Sequence, residues 1–578
     1  MSSRTASDPR MFRNRLACLF VVLGLAALGL VGRAVDLQLV DHGFLVKQGD
    51  ARFSRVMQIA AHRGTIVDRN GEPLAVSTPV ESVWANPQIL ATSTEQLPQL
   101  ARALKRTRPQ QQEFVRRVTS STDREFLYLA RHLQPADAQA VRKLNIAGVN
   151  LTREYRRYYP SGEVAGHLLG FTNVDDEGQE GAELAFDHWL SGEDGAKRVI
   201  QDRYGRRVQD VESIRPTRQG RDLELSLDLR IQYLAYRELK AVIQQQRAKS
   251  GSIVVLDVVT GEVLAMVNQP TYNPNDREQR SPAAYRNRAA TDIFEPGSSI
   301  KPFVVAAALA SGRYDTSSVV DTNPGFVQVG VKVIEDEHPL GAANLATILA
   351  KSSNVGMTKI ALSIPPQDIW STLSHLGFGQ VTTSGFPGES AGLLSNYSHW
   401  RPISVASLSF GYGLSVTALQ LAHAYATLGA FGISRPTSML KVEGSVPGQR
   451  MLDERVSRSL VALLESVVAQ DGTGARAAIP GYRVAGKTGT ARKASGGSYA
   501  EDRYVSVFGG VAPASNPRLA AVIVIDDPGA GKYYAGDIAA PVFASVVGGA
   551  LRLLAVAPDA TLGESRDPLS GVRRMAQR

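Results

Sequence analysis

Three short groups of residues carry side chains suited to acyl transfer: Ser298-x-x-Lys301, Ser352-x-Asn354 and Lys487-Thr488-Gly489-Thr490. A serine hydroxyl is a weak nucleophile until a base takes its proton. A lysine serves as that base when desolvation or a nearby positive charge lowers its pKa. Residues i and i+3 share one face of a helix, so the Lys301 amine is placed to reach the Ser298 hydroxyl. Pro296-Gly297 signals a turn, and Ser298 or Ser299 is a candidate cap for the helix that follows. Pro302 fits a first turn, where N–H groups lack intrahelical partners. Alone, the first group is a cheap pattern: Ser438-Met439-Leu440-Lys441 also fits it, and a capping serine beside a solvated lysine explains it. Lys249-Ser250-Gly251 imitates the third group but lies on the wrong side of the first. Order, spacing and setting together strengthen the signal. The first group opens a helix, the second sits between helices, and the third ends a strand.

The elements that must position these groups follow from hydrophobic pattern and turn signals. Leu223–Asp228 alternates as a strand, and Arg230–Gln246 has helical periodicity. Ile253–Asp257 and Val263–Val267 flank Thr260-Gly261 as a hairpin. Ala343–Ile360 reads as two helices meeting at Lys351-Ser352-Ser353-Asn354. A helix follows Gly411-Tyr412-Gly413, and Ser459–Val468 is another. Tyr482–Ala485, Val505–Val511 and Leu519–Ile525 read as strands, and Pro541–Leu554 as a closing helix. Helices with an antiparallel sheet give an α+β class.

Upstream, Leu16–Val31 is apolar or glycine throughout, and Arg4, Arg10, Arg13 and Arg15 precede it. The run is short for a membrane span of about 20 residues unless Arg33 snorkels to the interface. No Ala-x-Ala-like cleavage site follows, so an uncleaved signal anchor is expected. Its preceding arginines place residues 1–15 in the cytoplasm and the bulk outside. The expected organisation is a tail over 1–15, an anchor over 16–35, a soluble module over 36–222, an α+β domain over 223–555, and a disordered tail over 556–578. In the module, Arg63 to Ser77 reads as strand, Asn70-Gly71 turn, strand, with Arg63, Asp68 and Arg69 as a structural ion-pair network. Leu97–Leu104 and Phe126–Leu144 have helical spacing, broken by Pro135. His167 is read as a structural histidine.

The 578 residues carry a formal net charge of +9, a generic solubility charge for this length. The single cysteine, Cys18, excludes an intramolecular disulfide, and a zinc site is not expected. No cofactor is expected. No nucleic-acid reader motif is present, and an arginine-rich segment outside the membrane is no place for such a partner.

The three groups in this order resemble the active-site motifs of the serine penicillin-binding proteins and β-lactamases. Arg63-Gly64-Thr65-Ile66-Val67-Asp68-Arg69, the Tyr159-Pro160 to Phe171 run and Gly178 to Glu183 resemble the boxes of class B penicillin-binding proteins. Arg286-Asn287-Arg288-Ala289, Phe294 to Ser298, and Tyr412-Gly413-Leu414-Ser415-Val416-Thr417 are most similar to the septal member. The resemblance runs from Leu16 to about Leu554. It implies that the module over 36–222 is a non-catalytic pedestal and the α+β domain over 223–555 the catalytic one.

That resemblance implies roles. Ser298 would attack the carbonyl between the terminal D-alanines of a peptidoglycan stem peptide, and Lys301 would take its proton. Ser352 would relay a proton to the leaving D-alanine. Lys487 would keep Lys301 neutral and favour an anionic substrate, and Asn354 would hold the substrate amide. Thr488 and Thr490 would bind the carboxylate, and Gly489 would let an extended peptide lie beside the strand. N–H groups of Ser298 and Thr490 would form the oxyanion hole. An amine of a neighbouring stem would then take the acyl group, and β-lactams would acylate Ser298. The implied partners are these stem peptides, β-lactam antibiotics, the membrane, a membrane glycan polymerase and other division proteins. Tyr412, Tyr504, Tyr533 and Tyr534 are candidates for the pocket wall, with packing an equal alternative. Hydrolysis would need a water-activating motif, and no Ser-Asp-Asn is present. An elongation-specific transpeptidase and a β-lactam sensor or scaffold are the other readings.

Overall fold

The computed structural model describes residues 9–44, 54–201, 207–278, 281–444, 446–495 and 498–560. The chain divides into two compact units. One comprises Met1–Ala61, Pro79–Tyr155 and Glu193–Gln219. The other comprises His62–Thr78, Arg156–Gly192 and Gly220–Arg578.

In the first unit, a helix runs from Pro9 to Val35 and continues as a five-residue π turn, Asp36–Val40. Phe12–Val40 is long and apolar enough to cross a membrane, and its side chains are exposed. Arg33 lies within this span, against the Asp36 carboxylate. Leu127–Leu133, expected as helix, is a strand paired with Pro73–Ala85 through Trp84↔Tyr128 and Val83↔Ala130. Leu129 and Leu133 fit either period, and cross-strand pairing decides it. Pro135 then opens a helix to Lys143 instead of breaking one.

The second unit is built on a five-stranded antiparallel sheet. Its order places Val263–Gln269, Ser250–Asp257, Leu519–Asp526, Ser498–Ala512 and Ala485–Ser495 side by side, the last at an edge. Both faces are covered. Leu229–Gln246 and Ala535–Leu553 pack on one, with Ile253, Ile523 and Phe543 fully buried between. Lys301–Ala310 and Ala418–Gly429 belong to the core on the other. The closing helix begins six residues before Pro541, because Ile538, Ala539 and Ala540 are buried with the sheet. Leu223–Glu224 is only a two-residue strand, parallel to Ile66–Val67.

Arg63 is fully buried and donates to Glu183 at 2.8 Å and Asp187 at 2.7 Å, while Arg157 holds the other Glu183 oxygen at 2.7 Å. Arg69 reaches Glu262 at 3.3 Å. Asp68, expected in an ion-pair network, instead accepts from the backbone N–H groups of Asn70, Glu72 and Leu229. His167 is buried against the Ala284 carbonyl at 2.8 Å, and burial pushes its pKa down to about 4, as suits a structural histidine. Residues 556–560 are not free. Asp559 accepts from Arg483 N at 2.7 Å and Ser515 Oγ at 2.7 Å, and Ala560 N donates to Gly481 O. The rest of the expected tail, 561–578, lies outside the described residues, as do residues 1–8 of the expected cytoplasmic tail.

Candidate active site

Ser298 sits in a 3-10 turn, Gly297–Ile300, which leads directly into the Lys301–Ala310 helix. Neither expected cap forms. Ser299 Oγ turns back to the Pro296 carbonyl at 2.7 Å, and the Ser298 hydroxyl makes no hydrogen bond among the described residues. The helix start is fixed by packing instead: Ser299, Ile300, Lys301 and Phe303 are all fully buried.

Lys301 points into the junction of two helices, Leu345–Ala350 and Asn354–Ser363. Its amine lies 2.5 Å from Ser352 O, 3.2 Å from Ser352 Oγ, 3.2 Å from Ser353 O and 2.8 Å from Asn354 Oδ1. Ser352 has a φ of 60°, a left-handed backbone unusual for serine. That strained residue presents both its carbonyl and its hydroxyl to one amine. Lys487 approaches the same hydroxyl from the sheet. Its amine is 3.0 Å from Ser352 Oγ, 2.9 Å from Thr488 O and 3.1 Å from Thr488 Oγ1.

Both lysines are wholly buried. Desolvation, then the charge of Lys487, hold Lys301 well below the ordinary lysine range, and Asp336 opposes them. Burial brings Lys487 down to about 7. A neutral amine keeps two donors and gains a lone pair, so it can receive a proton from a neighbouring hydroxyl.

The third motif was expected to end a strand, but it opens one. Ala485–Ser495 continues past Thr490 because Ala491 and Arg492 go on pairing with Val505 and Tyr504. Its polar edge residues hid that extension. Gly489 is also explained differently. A Cβ there would lie 2.5 Å from Pro296 O and 2.9 Å from Ser299 N, so its bareness lets the strand touch the Ser298 turn. Thr488 Oγ1 pairs with Thr473 Oγ1 at 2.8 Å, and Thr490 Oγ1 accepts from Ala535 N at 3.1 Å.

Thus Lys301, Ser352, Asn354, Lys487 and Thr488 meet in one hydrogen-bonded cluster, with Ser298 one turn before Lys301. Two contributors were missed. Asp336 accepts from Ser353 Oγ at 2.5 Å, Asn354 N at 2.5 Å and Val355 N at 3.0 Å, so it fixes the second motif from below. Glu295 accepts from Gly413 N at 2.8 Å and Tyr499 Oη at 3.1 Å. Asp336 lies in an acidic run, Glu335-Asp336-Glu337, that reads as a solvated loop. Of the candidate wall tyrosines, Tyr504 stacks on Tyr533 at 4.2 Å, and Tyr533 meets Tyr534 at 4.5 Å. Tyr412 donates its ring to a different contact, edge-on to Tyr499 at 5.0 Å. A cavity of about 370 Å³ is lined by Ser250, Arg288, Glu295, Arg492 and Asp526 and by none of the serine and lysine motif residues.

Residues 251–548 match the family model for the penicillin binding protein transpeptidase domain, and residues 58–225 match that for the penicillin-binding protein dimerisation domain. The chain is 45% identical over 562 residues to the peptidoglycan D,D-transpeptidase FtsI of Escherichia coli K12, covering 96% of this chain and 94% of that one. It is 42% identical over 554 residues to the probable peptidoglycan D,D-transpeptidase PbpC of Pseudomonas aeruginosa, covering 96% and 97%. Among solved structures, it is similar to penicillin-binding protein 3 of Mycobacterium tuberculosis complexed with aztreonam: 27% identity, TM-score 0.68, 88% of this chain and 99% of that one. It is also similar to the transpeptidase domain of Burkholderia pseudomallei penicillin-binding protein 3, with 40% identity, TM-score 0.54, and coverage of 58% and 98%. A serine turn, two buried lysines and a bridging serine at the edge of this sheet, in a chain so closely matched along its length, place it among the class B penicillin-binding proteins.

Proposed function

We propose that this protein is a septal D,D-transpeptidase that cross-links peptidoglycan stem peptides through an ester on Ser298. The observation that carries the reading is the meeting of two buried lysine amines on Ser352 Oγ, one turn from a serine whose hydroxyl has no hydrogen-bond partner among the described residues. Neutral Lys301 takes the Ser298 proton as Oγ bonds to the carbonyl carbon of the penultimate D-alanine. The C–N bond to the terminal D-alanine breaks, and a proton relayed through Ser352 goes to the departing amine. An amine of a second stem then attacks the ester carbonyl. Its C–N bond forms, the C–O bond breaks, and Ser298 recovers its proton. Backbone N–H groups of Ser298 and Thr490 stabilise the oxyanion, each donor worth about 3 kcal/mol. Protonated Lys487 attracts the substrate carboxylate, which Thr488 and Thr490 bind, and Asn354 holds the substrate amide. A β-lactam enters as a mimic of D-alanyl-D-alanine and stays as the ester.

In this reading, residues 16–35 anchor the chain, with residues 1–15 in the cytoplasm and the catalytic unit on the outer face of the inner membrane. Residues 36–222 serve as a non-catalytic pedestal and 223–555 as the transpeptidase domain. A membrane glycan polymerase supplies the strands to be cross-linked, and other division proteins locate the enzyme. The test is Ser298→Ala in the full chain. Loss of labelling by fluorescent penicillin and filamentous growth on depletion of the native protein support the reading. Full complementation by that variant, or round instead of filamentous cells, overturns it.

A further inference from the structure

Among the described residues, the Ala485–Ser495 strand has a neighbouring strand on one side only. It pairs with that neighbour in the register Thr488↔Phe508, Thr490↔Ser506, Arg492↔Tyr504. Successive residues of a strand turn their N–H and C=O groups to opposite edges. Arg492 N donates to Tyr412 Oη at 3.0 Å, so its N–H faces away from the paired strand. By the two-residue repeat, Thr490 and Thr488 present their N–H groups on that same open edge. Tyr412 Oη therefore occupies the rung of the ladder that follows Thr490.

The phenol is clamped there from both sides. Gly411 O accepts from Gly297 N at 3.2 Å, and a Cβ on Gly411 would lie 2.0 Å from Gly297 O. Gly413 N donates to Glu295 Oε1 at 2.8 Å, and Tyr499 Oη donates to the same oxygen at 3.1 Å. The two aromatic rings meet at 5.0 Å with an interplanar angle of 83°. The loop carrying Tyr412 is thus fastened to the turn carrying Ser298. Its hydroxyl accepts from a strand N–H as a peptide carbonyl would in strand addition. Glu295 Oε2 is buried with no hydrogen-bond partner among the described residues, an acceptor within the same clamp for a hydroxyl that leaves the strand.

We propose that Tyr412 determines donor length: its hydroxyl stands in for a backbone carbonyl of the stem peptide, and a donor that reaches the Arg492 rung must displace it. Resting on the transpeptidase reading, this makes the resting site closed to long donors until the exchange occurs. A short acyl donor ends at Thr490 and meets no such barrier.

The test compares Ser298 acylation in the detergent-solubilised full chain by two thioesters. One is an N-acetyl-D-alanyl thioester. The other is the same thioester extended by three further stem-peptide residues. Tyr412→Phe keeps the ring on Tyr499 and frees Arg492 N–H. The long-to-short ratio of second-order acylation rates should rise roughly 3- to 10-fold, the range one hydrogen bond commands. Tyr499→Phe, which loosens the clamp but leaves the Tyr412 hydroxyl, should shift the ratio the same way and decides the matter if the first variant folds poorly. Active-site titration with fluorescent penicillin normalises both to folded protein. An unchanged ratio, or equal falls in both rates, overturns the length gate. Failure of the unaltered chain to form an ester with either donor overturns the transpeptidase reading instead.

Discussion

Lys301 and Lys487 converge on a single oxygen, Ser352 Oγ, at 3.2 and 3.0 Å. Two buried ammonium groups this close repel, and removing either charge relieves the other. Burial and then the charge of Lys487 hold Lys301 well below the ordinary lysine range. In the proposed mechanism acylation needs Lys301 neutral, so the rate should fall on the acid side as Lys301 takes up a proton. Lys487→Met removes one of the causes that lower Lys301. The acid limb of penicillin acylation against pH should therefore move to higher pH in that variant. A limb that stays in place would remove Lys301 as the base.

The same burial makes a stability prediction. Lys487 titrates at about 7 in the folded protein, well below an exposed lysine near 10.4. Between these values the unfolded chain binds the proton and the folded chain does not, so stability rises with pH. Below about 7 the folded protein carries the full cost of a buried charge. Lys487→Met should flatten this slope by about 1.4 kcal/mol per pH unit across the window, measured by denaturant unfolding.

Asp336→Asn keeps the size of the side chain but weakens its hold on Ser353 Oγ, Asn354 N and Val355 N. The cost should be about 1–3 kcal/mol, with acylation reduced at least tenfold through misplacement of Ser352 and Asn354. Asp336 also raises Lys301, so its neutralisation should shift the acid limb to lower pH, opposite to Lys487→Met. Stopped-flow acylation at several pH values checks both.

Gly489→Ala puts a methyl 2.5 Å from Pro296 O, against backbone that cannot swing away. The Ser298 turn must move, and acylation should fall about 100-fold while the chain still inserts and folds. Equal acylation by the variant would show that the turn yields freely.

Arg63→Ala takes one of two arginines from Glu183, leaving Arg157 at 2.7 Å, and removes the ion-pair partner of Asp187. Glu183 is fully buried, so the loss should be about 3 kcal/mol, the lower end of the cost of breaking a buried pair, read as a lower apparent denaturation midpoint for penicillin labelling. Arg63→Met should not rescue it, because filling the space restores neither ion pair.

The meeting of Lys301, Ser352, Asn354 and Lys487 was legible because the three groups use unusual residue types in a fixed order, and the Leu345–Ala350 and Asn354–Ser363 helices follow from plain periodicity. Other features depended on partners distant in sequence. Leu127–Leu133 carries a pattern compatible with either period, and its cross-strand partners, Val83 and Trp84 among them, choose strand. The strand beyond Thr490 is polar because it lies at an edge, so no apolar alternation announced it. Asp336 is 17 residues from Ser353, and nothing local in an acidic run shows which carboxylate will be turned inward. Tyr412 could be named from sequence, but its bond to Arg492 N spans 80 residues.

The division of the chain into interleaved segments sets an order of events during synthesis. Ile66–Val67 emerges early, yet its parallel partner Leu223–Glu224 comes more than 150 residues later. Lys487 reaches Ser352 across 135 residues, and the central Ser250–Asp257 strand waits for Leu519–Asp526. Such distant pairings are slow to form. The nascent chain must therefore carry the Ser250–Asp257 strand, paired with Val263–Gln269 alone, with one edge open until nearly its whole length is made, an edge on which another chain can pair.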